Sequence, residues 1–259
     1  MADVIDYQIH GDDMQLVEIG LDPGEGVRAE AGAMMYMEDG IRMQTNTGGG
    51  AFTGFKRMIT GESFFITNFT YEGSGKGHVA FGAPYPGKVI PLDLRAFDGS
   101  FTCQKDSFLA AAQGVEIEVA FAKKLGAGLF GGEGFILQRL EGIGMAFVHA
   151  GGVLIEKRLM PGQRLRVDTG CIVGFSGGVS YDIQLVGGFT NALFGGEGLF
   201  VATLGGPGTV YLQSLPFSRL ADRIVRASSI GLQTQVGEKR GIAGLGAGLL
   251  GNMISGDRS

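Results

Sequence analysis

The chain has 259 residues, of which 48 are glycine, none is tryptophan and 44% are hydrophobic. So much apolar sequence, interleaved with the glycines, excludes a disordered low-complexity chain and is enough for a sizeable core. Lysine and arginine number 21 against 26 aspartate and glutamate, a net charge of −5, so the broad basic footprint of a phosphate-backbone binder is missing and nucleic acid is disfavoured as a partner.

Met1 to Gln15 holds Asp3, Asp6, Asp12 and Asp13 and no apolar core, which predicts neither a signal nor a transit peptide. No run reaches the ~20 apolar residues that span a bilayer. A cytoplasmic location is therefore expected. Asp22-Pro23-Gly24 predicts a type II turn, because Pro presets φ and Gly supplies the positive φ that follows. Gly82 to Lys88 resembles a phosphate loop, but Val89 stands where a Mg²⁺-binding hydroxyl belongs, and Pro84 and Pro86 remove donors. Asp106 predicts a cap for a two-turn helix over 107–113, stopped by Gly114. Period-two alternation predicts strands over 115–119 and 179–185, with further strands over 135–140 and 209–213. Phe147-Val148-His149 and Val153 to Lys157 read as a hairpin across Ala150-Gly151-Gly152. From Pro216, the residues Phe217, Leu220, Ala221, Ile224 and Val225 mark one face of a helix. Cys103 and Cys171, flanked by apolar residues, are expected as reduced packing groups.

The chain repeats itself. Phe130-Gly131-Gly132-Glu133-Gly134 recurs as Phe194-Gly195-Gly196-Glu197-Gly198, and Thr60-Gly61-Glu62-Ser63-Phe64 is a looser copy. Leu21 to Gly32 aligns without gaps on Leu159 to Gly170, and Asp98-Gly99 takes the place of Pro-Gly in between. A fixed period of this kind means one supersecondary unit used several times. Three units are expected over 1–90, 91–157 and 158–225, followed by a Gly-rich apolar tail over 226–259. The architecture they imply is all-β: three tandem sandwich-like repeats about a pseudo-threefold axis, with one or two short helices.

No catalytic set survives inspection. Gly174-Phe175-Ser176-Gly177-Gly178 matches the nucleophile elbow of α/β-hydrolases, but a strand rather than a helix follows it. His10, His78 and His149 all precede Ser176, against the hydrolase order. A hydrolase using Ser176 is the least favoured reading. Gly126 to Gly131 and Gly246 to Gly251 match G-x-G-x-x-G without the helix or the acidic partner that a dinucleotide needs, and no cofactor is expected. Glu62, Glu133 and Glu197 are weak candidates for a hard-cation site at a symmetry axis. Against that, each glutamate in a glycine-rich turn is better explained by backbone N–H bonds or by solvent. No other metal ligands have suitable spacing. Lys123 and Lys124 read as a solvated strand end. In the tail, Lys239-Arg240 precede an apolar Gly-rich run to Ile254, which reads as a flexible end, a subunit contact or an anchor at a membrane surface.

The segments Lys123 to Phe135, Phe147 to Gly152, Val167 to Cys171, Asn191 to Gly198 and Leu212 to Leu220 resemble the Altered Inheritance of Mitochondria family of mitochondrial biogenesis proteins, in its bacterial branch of unknown function. The resemblance covers about residues 10–225. It implies three copies of a small double-stranded β-helix or β-sandwich unit similar to the trp RNA-binding attenuation protein, and trimeric assembly. It brings no catalytic residues with it. The function expected is a non-enzymatic, homo-oligomeric scaffold or assembly protein, a trimer by preference, with a protein partner or the inner-membrane surface as its other contact. A module binding a small ligand or RNA is the alternative.

Overall fold

The computed structural model describes residues 5–30, 32–46, 66–123, 135–186, 199–225 and 227, and its described residues form nineteen strands. Strand β1 (Asp6–His10) precedes three runs of six. The first run is β2 (Leu16–Leu21), β3 (Gly26–Glu30), β4 (Met34–Met37), β5 (Ile41–Asn46), β6 (Ile66–Tyr71) and β7 (Gly77–Gly82). The second is β8 (Gly87–Asp93), β9 (Ser100–Gln104), β10 (Phe108–Ala112), β11 (Glu116–Lys123), β12 (Phe135–Glu141) and β13 (Met145–Gly151). The third is β14 (Leu154–Leu159), β15 (Arg164–Asp168), β16 (Ile172–Ser176), β17 (Ser180–Val186), β18 (Leu199–Gly205) and β19 (Gly208–Gln213).

Pairing within the runs follows one scheme, always antiparallel. In the first, β5 pairs with β6, β6 with β3, β4 with β7 and β7 with β2. The second repeats this as β11–β12, β12–β9, β10–β13 and β13–β8. The third repeats it as β17–β18, β18–β15, β16–β19 and β19–β14. Even the irregularity recurs, because the register shifts between Met34 and Tyr36, between Phe108 and Ala110, and between Ile172 and Gly174. Two seams join the runs: β3 pairs with β10, and β9 with β16. They produce two six-stranded sheets, β5-β6-β3-β10-β13-β8 and β11-β12-β9-β16-β19-β14. The remaining strands stay apart as β1-β2-β7-β4 and β15-β18-β17. A closed threefold ring would also join β4 to β15, and no described pairing does so.

Local chemistry explains the turns and strands. Gly24 and Gly162 have φ of 85° and 80°, the left-handed region that their turns demand. Each turn is closed twice. The Glu25 N–H donates to the Asp22 carbonyl at 2.9 Å while the Asp22 N–H donates to Glu25 Oε2 at 3.0 Å. The Gln163 N–H donates to the Met160 carbonyl at 3.0 Å, and the Met160 N–H to Gln163 Oε1 at 2.8 Å. Strand β6 alternates, with Thr67, Phe69 and Tyr71 buried and their neighbours half-exposed, as a sheet with one wet face requires.

Two sequence expectations fail here. The helix over 107–113 does not form: Lys105–Ser107 is a 3₁₀ turn, and Phe108–Ala112 is a wholly buried strand. Strand β10 lies between β3 and β13, so its backbone groups are satisfied across both edges and both of its faces are covered. Alanine's helix preference, worth well under ~1 kcal/mol per residue, does not outweigh that. The hairpin over 147–157 also fails, because β13 belongs to one six-stranded sheet and β14 to the other. The Gly151 N–H donates to Gln213 Oε1 at 2.8 Å, and the Gly152 N–H donates to the Pro86 carbonyl, so the chain crosses between sheets rather than folding back.

The described residues up to Phe217 belong to one compact unit, and the expected helix, over 217–225, lies mostly in the next. The buried core falls into two clusters, one spanning the first and second runs and one lying mainly in the third. Phe81 on β7 and Phe69 on β6 meet edge to face at 5.2 Å, both essentially inaccessible to water. Replacing Phe81 by Ala should cost about 3–5 kcal/mol in urea unfolding. The exposed Met14→Ala change should stay within about 0.5 kcal/mol.

Candidate functional site

Glu62, Glu133 and Glu197, with Lys124 and the run from Lys239 to Ile254, lie outside the described residues. Among the described residues, no cluster of three or more His, Cys, Asp or Glu is arranged to hold a metal, and no helix is long and apolar enough to cross a membrane. Cys103 is fully buried, and burial pushes its thiol well above its ordinary range, while Cys171 is half-buried. The first is therefore a packing group rather than a nucleophile.

Ser176, at the end of β16, lines an open groove of about 920 Å³ together with Arg139, Glu141, Glu156, Arg158 and Tyr211. No histidine lines that groove. Ser176 Oγ accepts the Thr209 N–H at 3.0 Å, so its hydroxyl ties the β16 turn to β19. The predicted turn is present, and the strand Ser180–Val186 follows it where an elbow would need a helix. The geometry gives this serine a structural task.

A second place adjoins a buried ring. His149 on β13 is 1% exposed, and neither ring nitrogen has a hydrogen-bond partner. Tyr85 stands edge-on to its ring at 4.6 Å. Burial pushes the imidazole pKa down to about 4, so at neutral pH it is uncharged, with one nitrogen a donor and the other an acceptor. The ring lines a cavity of about 260 Å³ shared with Glu30, Asp106, Phe108, Leu109 and Pro84. Sequence reading missed this site because a single histidine inside Phe147-Val148-His149-Ala150 looks like any core position. Only the absence of partners in three dimensions marks it.

The third feature is a pair of unpaired strand edges. Strand β4 pairs only with β7, and β15 only with β18, among the described strands. Strand β4 carries Met35, Tyr36 and Met37, exposed at 57%, 43% and 39%, and runs into the acidic pair Glu38-Asp39. Strand β15 carries exposed Arg164 and Arg166. Beside β4, Tyr36 donates to Glu18, and His78 Nδ1 lies 3.0 Å from Glu38 Oε2. The His78 bond holds the Glu38 carboxyl below its ordinary range.

Comparison with known proteins agrees with this architecture. The sequence profile of a family described as Mitochondrial biogenesis AIM24 matches residues 7–215. An uncharacterized protein of Streptococcus pyogenes serotype M6, M6_Spy0233, is 30% identical over 219 residues, covering 82% of this chain and 86% of its own. The crystal structure of SPYM3_0169 from Streptococcus pyogenes superposes with a TM-score of 0.70 at 27% identity, covering 86% of this chain and all of that one.

The buried neutral imidazole makes stability fall in acid. The folded-state pKa of about 4 lies below the ordinary 6.5, so the unfolded chain binds the proton first as pH drops. Stability from this residue is fully present above about pH 6.5 and is lost progressively down to about pH 4, a loss of roughly 3 kcal/mol. Urea unfolding of wild type and His149→Gln at both ends of that window should show this component only in wild type. In the groove, Ser176→Ala leaves the Thr209 N–H without its acceptor and should cost about 1–2 kcal/mol in the same assay.

Proposed function

The chain belongs to the Mitochondrial biogenesis AIM24 family, and from that premise we propose that it is a non-enzymatic assembly protein whose copies join through the open edges of β4 and β15. The observation that carries this reading is the missing third seam. Twice within the chain the second strand of one run accepts the third strand of the next, as β3 with β10 and β9 with β16. The one strand of each kind left over is β15 and β4. An unpaired edge is a row of N–H and C=O groups ready to take another strand. Strand β4 has none of the usual guards against this, no lysine, proline or charge inside Met34–Met37. Its acidic exit at Glu38-Asp39 complements Arg164 and Arg166 on β15.

The internal seams supply the register. Ala110, Ala111 and Ala112 oppose Ala29, Arg28 and Val27, while Gly174, Phe175 and Ser176 oppose Cys103, Thr102 and Phe101. Aligning the three bulges places Tyr36, Met37 and Glu38 of one copy opposite Val167, Arg166 and Leu165 of another. The contact is head to tail, so it generates a homo-oligomer that closes into a ring when the rotation permits, and a trimer is the ring we favour. The groove at Ser176, with no histidine in its lining, supports the reading that catalysis is no part of this role.

Oxidation of Met37→Cys paired with Arg166→Cys tests the register, since directly opposed antiparallel residues bring Cβ atoms within disulfide reach. Non-reducing gels should show covalent dimers and larger species, absent from each single variant, and light scattering of wild type should give a multiple of the 27.1 kDa chain mass. A cross-link confined to monomer-sized protein would mean that the chain closes its own seam. That result, or a monomeric mass with no cross-link, would overturn the proposal.

A further inference from the structure

His149, Gln213 and Gly82 occupy the same position in the three runs. Each follows the residue that pairs with the first member of the bulged strand: Phe81 opposite Met34, Val148 opposite Phe108, and Leu212 opposite Ile172. In the third run the position is chemically complete. Gln213 Oε1 accepts the Gly151 N–H at 2.8 Å, and Gln213 Nε2 donates to the Gly170 carbonyl at 2.9 Å. Around His149 the counterpart of Gly151 is Pro86, which has no N–H to donate, and the counterpart of the Gly170 carbonyl is the Asp106 carbonyl, which already accepts from the Tyr85 hydroxyl at 3.5 Å. Both nitrogens of a buried ring are thereby left over, at a cost of roughly 1–3 kcal/mol that a donor occupying the adjoining cavity would relieve at the ring's acceptor nitrogen.

The cavity beside the ring defines that occupant. Its volume of about 260 Å³ holds only a few non-hydrogen atoms beyond the size of a large amino-acid side chain, below the usual range for drug-sized ligands. Its lining divides into an acidic part, Glu30 and Asp106, and an apolar part, Phe108, Leu109 and Pro84. Asp106 is exposed and Glu30 half-buried, and after burial their charges contribute to raising the Tyr85 phenol. Among the described residues no group of three or more His, Cys, Asp or Glu could hold a metal ion.

We propose that this cavity binds a small organic ammonium ion, its charged head between Glu30 and Asp106 and hydrogen-bonded to His149, its short alkyl portion on Phe108 and Leu109. The neutral imidazole accepts one ammonium hydrogen, the carboxylates hold the charge, and the apolar wall selects for length. This site is independent of the β4 and β15 edges, and neither reading needs the other.

The probe is n-butylammonium, compared with 1-butanol of the same shape and no charge. The protein is the full chain, observed by NMR of the histidine rings and by calorimetric titration. We expect saturable binding of butylammonium with shifts confined to one of the three histidine rings, and no saturation with 1-butanol. His149→Gln, which places in the second run the amide that already works in the third, should weaken butylammonium binding about tenfold or more. Asp106→Asn, at an exposed position, should weaken it in the same way and serves if the first variant does not fold. Equal binding of 1-butanol, undiminished binding in a folded His149→Gln or Asp106→Asn protein, or no saturable response in wild type would each overturn the assignment.

Discussion

Everything in this fold depends on how backbone edges are satisfied where one run of strands meets the next. A six-stranded sandwich on its own would expose the outer edge of its second strand and the outer edge of its third, each a row of unpaired donors and acceptors. The chain resolves this twice, by giving the second strand of the first run, and then of the second, to the third strand of the next. Strand β10 is the joint of the first seam, and its three alanines allow β3 and β13 to close on both sides with no bulk on either face. At the second seam Gly174 does the same work more severely. A Cβ there would lie 2.5 Å from the Phe101 ring and 2.7 Å from the Thr102 carbonyl. The small residues are where they are because a neighbouring strand needs their space.

The same scheme, used three times, makes departures from it informative. A position filled by glutamine in one run, histidine in another and glycine in the third has the same backbone and different chemistry. Gln213 bridges an N–H and a carbonyl, and the two sheets around it are stitched together by its amide. Gly82 contributes nothing. His149 inherits a location built for a bridging side chain where Tyr85 has taken the Asp106 carbonyl and Pro86 offers no N–H. A merely structural histidine would be expected to keep at least one bond, since natural cores rarely leave buried polar atoms alone. Repetition thus supplies an internal control that a single domain would lack.

Much of the architecture was legible in the sequence and little of the site was. The all-β class, the strands over 115–119, 135–140, 179–185 and 209–213 and the turns at Pro23-Gly24 and Pro161-Gly162 follow from period-two alternation and turn chemistry, which are local. The helix over 107–113 was misread because Asp106, Ala110 to Ala112 and Gly114 satisfy every local rule for a helix. Their strand conformation is imposed by β3 and β13, from segments distant in sequence. The false hairpin at Ala150-Gly151-Gly152 has the same origin. Two glycines announce a reversal, but not which sheet the chain enters afterwards. The glutamates of the repeated Gly-Glu motif lie outside the described residues, so the signal that revealed the repeat is not the one that locates a site.

Edges and cavity also differ in what evolution must hold constant to keep them. An open edge needs only backbone in the extended conformation and the absence of guards, so β4 tolerates any side chain that alternates correctly, and its Met-Met-Tyr-Met sequence suits a contact surface that adapts its packing. The cavity is less forgiving. It requires a histidine without partners, a tyrosine occupying the Asp106 carbonyl, and small residues at 32, 33 and 83 that leave the space open. A chain selected for stability alone would have placed an apolar side chain at 149, because that removes two unsatisfied nitrogens. That the costlier arrangement stands in the second run, beside a working cheaper one in the third, is the physical ground for treating the cavity as a site rather than a packing defect.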